Sequence, residues 1–252
     1  MNTDLHGQQQ VCMTNHGSST NRFTAGCMLL VLLLGTGNAA AQAETEIYRL
    51  ALDNIKAGQL PTGWVTSATN PDGPLALWEA EVDSADPKHG KVLSVLQIRD
   101  TSSSVFNLNW TKQVSFLNID MSVHMRANSG KEDQGGGMIW RGTDENNYYV
   151  ARYNPLEGNF RLYYVEGGMR NTLASAEHFN TAKREWIQLR VRHQGQRIQG
   201  WLNNSLAWEI NDTHFSNPGG IGLWTKADAA SSFTNLVISG TPAKDSGRQG
   251  DE

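Results

Sequence analysis

The chain has 252 residues, a formal net charge of −4 and a pI near 6.0. With no basic excess it lacks the electrostatic footprint of a nucleic-acid binder, which excludes that class. Its 25 glycines point to many turns, and its eight tryptophans supply either a core or an aromatic surface fit for a ligand.

The first element in chain order concerns targeting. Cys27 to Leu34 reads CMLLVLLL, with Arg22 before it and two small-x-small cleavage patterns after it, Ala39-Ala40-Ala41 and Ala41-Gln42-Ala43. Such a run has the length of a signal-peptide core and falls well short of the ~20 apolar residues a spanning helix needs. Cys27 opens the run instead of closing it, which tells against a lipoprotein anchor, and Met13 is an alternative start that keeps Arg22 and the apolar core. Residues 1–43 are therefore expected to be an N-terminal extension and signal peptide. The mature protein is expected to be secreted or periplasmic, with no transmembrane segment. Both cysteines, Cys12 and Cys27, precede the cleavage site. That excludes thiol catalysis, disulfides and cysteine-ligated zinc from a mature chain of about 210 residues, long enough for one core.

Glu79-Ala80-Glu81-Val82-Asp83 is an acidic alternation soon followed by Asp86-Pro87, and reads as a solvent-facing strand end. From Ile119 onwards apolar residues recur with period two. Ile119, Met121, Val123 and Met125 face one way; Asp120, Ser122, His124 and Arg126 face the other. Similar strands are predicted over Tyr148–Tyr153, Asn159–Val165, Trp186–His193, Arg197–Leu202, Gly222–Lys226 and Phe233–Ser239. Turn signals separate them at Asn128-Ser129-Gly130, Glu157-Gly158-Asn159, Gln194-Gly195-Gln196 and Asn203-Asn204. Asp144 to Asn147 reads as a hairpin loop with Asx side chains on local backbone, and Leu173–Arg184 as holding at most one short helical turn. The pattern predicts an all-β, two-sheet antiparallel sandwich over residues 44–241 and a polar C-terminal tail over 242–252.

Several blocks resemble a known group. Gly135 to Leu173 reads GGGMIWRGTDENNYYVARYNPLEGNFRLYYVEGGMRNTL, Glu185-Trp186 follows, Gly219 to Phe233 reads GGIGLWTKADAASSF, and Asp53 to Trp64 reads DNIKAGQLPTGW. Together they resemble the concanavalin A-like lectin/glucanase superfamily. Within it they are similar to small secreted proteins related to the 3-keto-disaccharide hydrolase, or family 16 glycoside hydrolase-like, domain. The resemblance implies a jelly roll of two curved antiparallel sheets with a concave face that holds carbohydrate. It also implies, in many relatives, a structural calcium on an Asp of the last strand. Here that stretch is Phe233-Thr234-Asn235, without the acid, so no cofactor is expected, and Asp53 is the remaining acidic candidate.

Strand parity gives such a face its chemistry. Arginines without partners belong in water, so Arg141, Arg152 and Arg161 are expected to point away from the core. Met138, Trp140, Tyr149, Ala151, Tyr153, Phe160, Leu162 and Tyr164 then point inward. The same rule turns Tyr148, Tyr163, Trp224 and Lys226 outward, opposite Ile221, Leu223 and Thr225. Glu157, Arg170 and Asp228 are placed at or near the rim. Guanidinium and ammonium donors beside aromatic rings suit a carbohydrate or sugar acid. The competing expectation is that such arginines merely pair with carboxylates across the ladder.

Two functions remain open: a non-catalytic carbohydrate or sugar-acid binder, and a glycoside hydrolase or lyase acting on oxidised (3-keto) glycosides or other glycans. The Glu-x-Asp-x-Glu strand of the retaining glucanases, which sets two carboxylates on one face, is absent. His124 has a type of side chain suited to proton transfer, but a single strand histidine is more often structural. No histidine spacing forms a metal site among His89, His124, His178, His193 and His214.

Overall fold

The computed structural model describes residues 45–98, 102–182 and 184–242. The expected signal peptide and nearly all of the polar tail lie outside the described residues.

The described chain is built from strands with two single turns of 3-10 helix, Leu52–Asn54 and Pro87–His89. The strands are β1 (Glu46–Arg49), β2 (Val65–Thr69), β3 (Leu77–Val82), β4 (Lys91–Gln97), β5 (Phe106–Ser129), β6 (Gly136–Asp144) and β7 (Asn147–Asn154). They continue as β8 (Asn159–Glu166), β9 (Met169–Ala176), β10 (Trp186–Gln194), β11 (Arg197–Leu202), β12 (Ser205–Asn211), β13 (Gly219–Lys226) and β14 (Ala230–Pro242). The pairing throughout is antiparallel, as expected for β-hairpin and sandwich architecture.

Two layers emerge because the 24-residue β5 serves both. Its first half lies between β2 and β13, giving the order β2-β5-β13-β6-β7-β8-β9. Its second half lies between β10 and β14, giving β12-β11-β10-β5-β14, with β4-β3 and β1 added on β14. The inward parity holds: Met138, Trp140, Tyr149, Ala151, Tyr153, Phe160, Leu162, Ile221 and Leu223 of the first layer meet Ile119, Met121, Val123 and Met125 of the second in one core. Tyr164 is only partly buried against it. Phe160 and Trp208, with ring centroids 5.2 Å apart, bridge the layers.

The hairpins follow their turn chemistry. Asn203 and Asn204 adopt φ of 45° and 68°, the left-handed pair that a two-residue turn needs and that asparagine tolerates. Asp144 Oδ1 accepts from the backbone N–H of Asn146 and from Asn147 Nδ2, both at 2.8 Å. Two expectations are corrected. Leu173–Ala176 completes strand β9 and forms no helical turn. Strands β2, β4 and the first half of β5, on which the sequence reading was silent, run buried residues together instead of alternating them, whereas β3 alternates, with Trp78 and Ala80 buried. Asp83 is buried, not solvent-facing, because Arg126 takes both its oxygens, at 2.7 and 2.8 Å. Among the described residues no helix is long and apolar enough to cross a membrane.

Candidate functional site

The outer face of the first layer, remote from the core, carries most of the residues singled out in the sequence. It is not the open wet face that parity suggested. Tyr148 and Trp224 are 0% exposed, and Tyr163 and Arg152 only 2%. Parity selects the side of a sheet but says nothing of what covers it. Here Phe106, Leu108 and Trp110 from β5 join Ile139, Tyr148, Val150, Tyr163, Val165 and Trp224 in a second apolar cluster. The Tyr148 hydroxyl accepts from Trp224 Nε1 at 3.2 Å and lies 2.8 Å from Thr69 Oγ1. Burial pushes its pKa well above the ordinary phenol value.

Charged groups border this cluster. Arg152 on β7 sits directly opposite Arg161 on β8, a like-charge pair that needs carboxylates to hold it. Glu157, in the turn between the two strands, supplies one: its Oε2 lies 3.4 Å from Arg152 Nη1 and 3.1 Å from Arg161 Nη1. Burial alone would raise the Glu157 carboxyl, but Asn159 and the two arginines outweigh it and leave it low. Glu177 takes the other side of Arg161 at 3.3 Å. Asp133 accepts from Arg152 Nη2 at 2.6 Å and from Lys226 Nζ at 3.0 Å.

Asp228 does not reach into this network. It accepts the backbone N–H groups of Lys131, Glu132 and Asp133 at 2.6, 3.0 and 2.9 Å and so fixes the loop that presents Asp133. Asp133 and Glu177 are the acids of the network that the sequence reading missed; the only signal for Asp133 was its place in a Gly-rich turn.

Arg170 on β9 completes the group. Its guanidinium carbon lies 4.4 Å from the Tyr163 ring centroid and 5.2 Å from that of Phe106. Along strands β7 to β9, Arg152 Nε, Arg170 Nη1, Asn159 Oδ1 and the Tyr163 hydroxyl are buried without a well-formed hydrogen bond among the described residues, although Arg161 stands close to the Tyr163 hydroxyl. Two of these only donate, one only accepts, and the hydroxyl does both.

Arg141 stands apart, and its expected place on this face is corrected. It adopts φ 50° within an irregularity of β6 between Trp140 and Asp144, which breaks the strand alternation. Its side chain, 2% exposed, donates to the carbonyls of Leu117 at 2.9 Å, Phe215 at 2.6 Å and Gly195 at 3.4 Å. It stands near Asp212 and Tyr149, whose hydroxyl donates to Asp212. Its role there is structural.

The second layer carries a separate cleft of about 490 Å³ lined by Glu81, Asp83, Asp86, Arg126, Arg184 and Trp186. Trp186 stacks on His89 at 4.5 Å and meets the Arg126 guanidinium at 4.8 Å. His124 lies beneath, its pKa lowered first by burial and then by His89. Arg126 and Asp83 satisfy each other, while Trp186 Nε1 and His124 Nδ1 are buried without a hydrogen-bond partner among the described residues. Among the described residues no group of three or more His, Cys, Asp or Glu is placed to hold a metal ion.

Neither protein-family models nor curated protein sequences match the chain. Solved structures do. The carbohydrate binding module CBM66 from Bacillus subtilis superposes with a TM-score of 0.53 at 21% identity, over 69% of this chain and 94% of that one. A Bacillus subtilis protein of galectin-like fold and unknown function superposes with a TM-score of 0.50 at 10% identity, over 71% and 90%. The chain thus has an all-β sandwich fold, shared with these two proteins, the second of which is described as galectin-like.

Proposed function

We propose that this is an exported carbohydrate-binding protein. Its ligand seats on the outer face of the first layer, over Tyr163 and among Arg152, Arg161, Arg170 and Lys226. The observation that carries this is the set of buried polar atoms without hydrogen-bond partners on strands β7 to β9, Arg152 Nε, Arg170 Nη1 and Asn159 Oδ1, beside aromatic rings. Unpaired polar atoms are costly, of the order of 1–3 kcal/mol each. Sugar hydroxyls both donate and accept, so an oligosaccharide can satisfy such a mixed set, while an aromatic ring covers the apolar side of a sugar. The fold agrees, since a module named for carbohydrate binding is among its structural neighbours. The short apolar leader and its small-x-small sites support export.

Binding leads over hydrolysis because the carboxylates at the face are engaged. Asp133 is held by Arg152 and Lys226, and Glu157 by Arg152 and Arg161. Incubation with a glycan panel, scored for thermal shift and for released product, tests this. A shift without products is expected. Product release would replace binding by hydrolysis, and a panel with neither response would remove the carbohydrate reading.

A further inference from the structure

The outer face of the second layer holds the cleft of about 490 Å³, and the order of side chains across the sheet explains it. Trp186 on β10 stands beside Arg126 on β5, Arg126 beside Ser232 on β14, Ser232 beside Ser94 on β4, and Ser94 beside Glu79 on β3. Glu81 lies two residues along β3 and so on the same side. Short serines in the middle of the row and long side chains at its ends leave a trough. Its floor is fixed by a hydrogen-bonded network that includes the buried Arg126–Asp83 pair. Arg126 Nε donates to Asn128 Oδ1 at 3.0 Å, Asn128 Nδ2 donates to Ser232 Oγ at 2.7 Å, and Ser94 Oγ donates to the same oxygen at 2.8 Å. Its walls are open to solvent: Arg184 is exposed, and Trp186, Glu81 and Asp86 are half-buried.

We propose that this cleft is a second carbohydrate site, built for a neutral oligosaccharide. It goes beyond the reading of the first face and stands without it. The volume lies within the range of about 300–1,000 Å³ typical of ligand pockets. Three carboxylates, Glu81, Asp83 and Asp86, and two guanidinium groups, Arg126 and Arg184, line it, so the charges nearly balance. An acid or an amine placed there meets a like charge close to each opposite one, which costs affinity. Sugar hydroxyls use both kinds of wall: they donate to Glu81 and Asp86 and accept from Arg184. Trp186, held by His89 at 4.5 Å and by the Arg126 guanidinium at 4.8 Å, gives the wall an apolar surface for the C–H side of a sugar ring. Arg184 projects from a backbone of φ 59°, a conformation uncommon outside glycine, and strain of this kind collects at ligand sites.

Isothermal titration of the full-length chain with cellotriose, trigalactose, trigalacturonate and triglucosamine tests it. At least one of the two neutral trisaccharides is expected to bind, about tenfold more tightly than either charged one. Glu81→Gln and Arg184→Gln, both at the walls, should each weaken that binding about tenfold at an unchanged melting temperature. Loss of binding in Arg161→Ala but not in these two variants would put the sugar on the first face, which overturns this inference and leaves the carbohydrate reading standing. Neutral binding that survives all three substitutions would overturn it as well. Tighter binding of trigalacturonate or triglucosamine than of the neutral sugars would make the cleft a site for a charged ligand and overturn it. Binding of none of the four would do the same.

Discussion

Single residues divide here into those that hold the fold and those left unsatisfied by it. Asp83 and Arg126 belong to the first kind. Burial alone would raise the Asp83 carboxyl, but the Arg126 hydrogen bonds and charge, with the N–H groups of Asp86 and Ala85, bring it below its ordinary value. Its contribution is therefore present above about pH 4 and is lost as the pH falls through the lower folded value. Asp83→Ala strands a buried guanidinium and is predicted to cost about 3–5 kcal/mol in urea melts at pH 7. His193 is the opposite case. Its Nδ1 accepts from Trp140 Nε1 at 3.0 Å, and burial, then the Arg141 charge, pushes its pKa from 6.5 down to about 3. The unfolded chain takes up that proton below pH 6.5 while the folded one refuses it until about pH 3, so stability falls with pH across that window. The loss from this one group approaches about 1.4 kcal/mol per pH unit. Urea melts of the native chain and His193→Gln from pH 7 to pH 4 should converge, since the variant lacks this slope. Parallel curves would refute the assignment.

Strands show where alternation is enough and where it misleads. In β6 the inward Trp140 is fully buried, with its ring 5.5 Å from Tyr149. Trp140→Ala is predicted to cost about 3–5 kcal/mol. Arg161→Ala on the outer side of β8, where the ion pairs are partly exposed, should cost less than about 1 kcal/mol. Equal losses would mean that the faces are misassigned. Trp224 points outward from β13, yet it is buried in the second cluster, so Trp224→Ala belongs with Trp140→Ala in its effect on stability. Close strand approach sets a further constraint at Gly222, where an added Cβ would lie 2.3 Å from the Trp110 Cβ and 2.7 Å from the Asn109 carbonyl oxygen. Gly222→Ala must displace backbone and is predicted to cost about 1–3 kcal/mol, read as a lower denaturant midpoint.

At the scale of the molecule, β1 pairs with β14 and β5 threads both layers, so few contacts are local. Refolding of a chain beginning at Glu44 should accordingly fall in the millisecond-to-second range of β-sandwiches when followed by stopped-flow tryptophan fluorescence. Microsecond folding would contradict so non-local a topology. The proposed export is tested at the same scale. N-terminal sequencing of protein recovered outside the cytoplasm should begin near Gln42 or Glu44, and a start at Met1 or Met13 would refute the signal peptide.

The sequence alone determined the fold class, the inward residues of the second half of β5, of β6 to β8 and of β13, and the hairpin turns. These depend on local chemistry: period-two alternation, left-handed asparagines and glycines, and Asx side chains on their own backbone. Tertiary structure alone decided the rest. A strand residue knows which side of its sheet it takes, but whether that side meets water depends on distant chain. Phe106 to Trp110 cover Tyr148 and Trp224, and the backward turn at Arg141 removes it from the face its parity assigned. Ion pairing is equally non-local. Arg152 finds Asp133, nineteen residues away, while Arg170 lies over the rings of Tyr163 and Phe106, and no spacing in the sequence distinguishes the two.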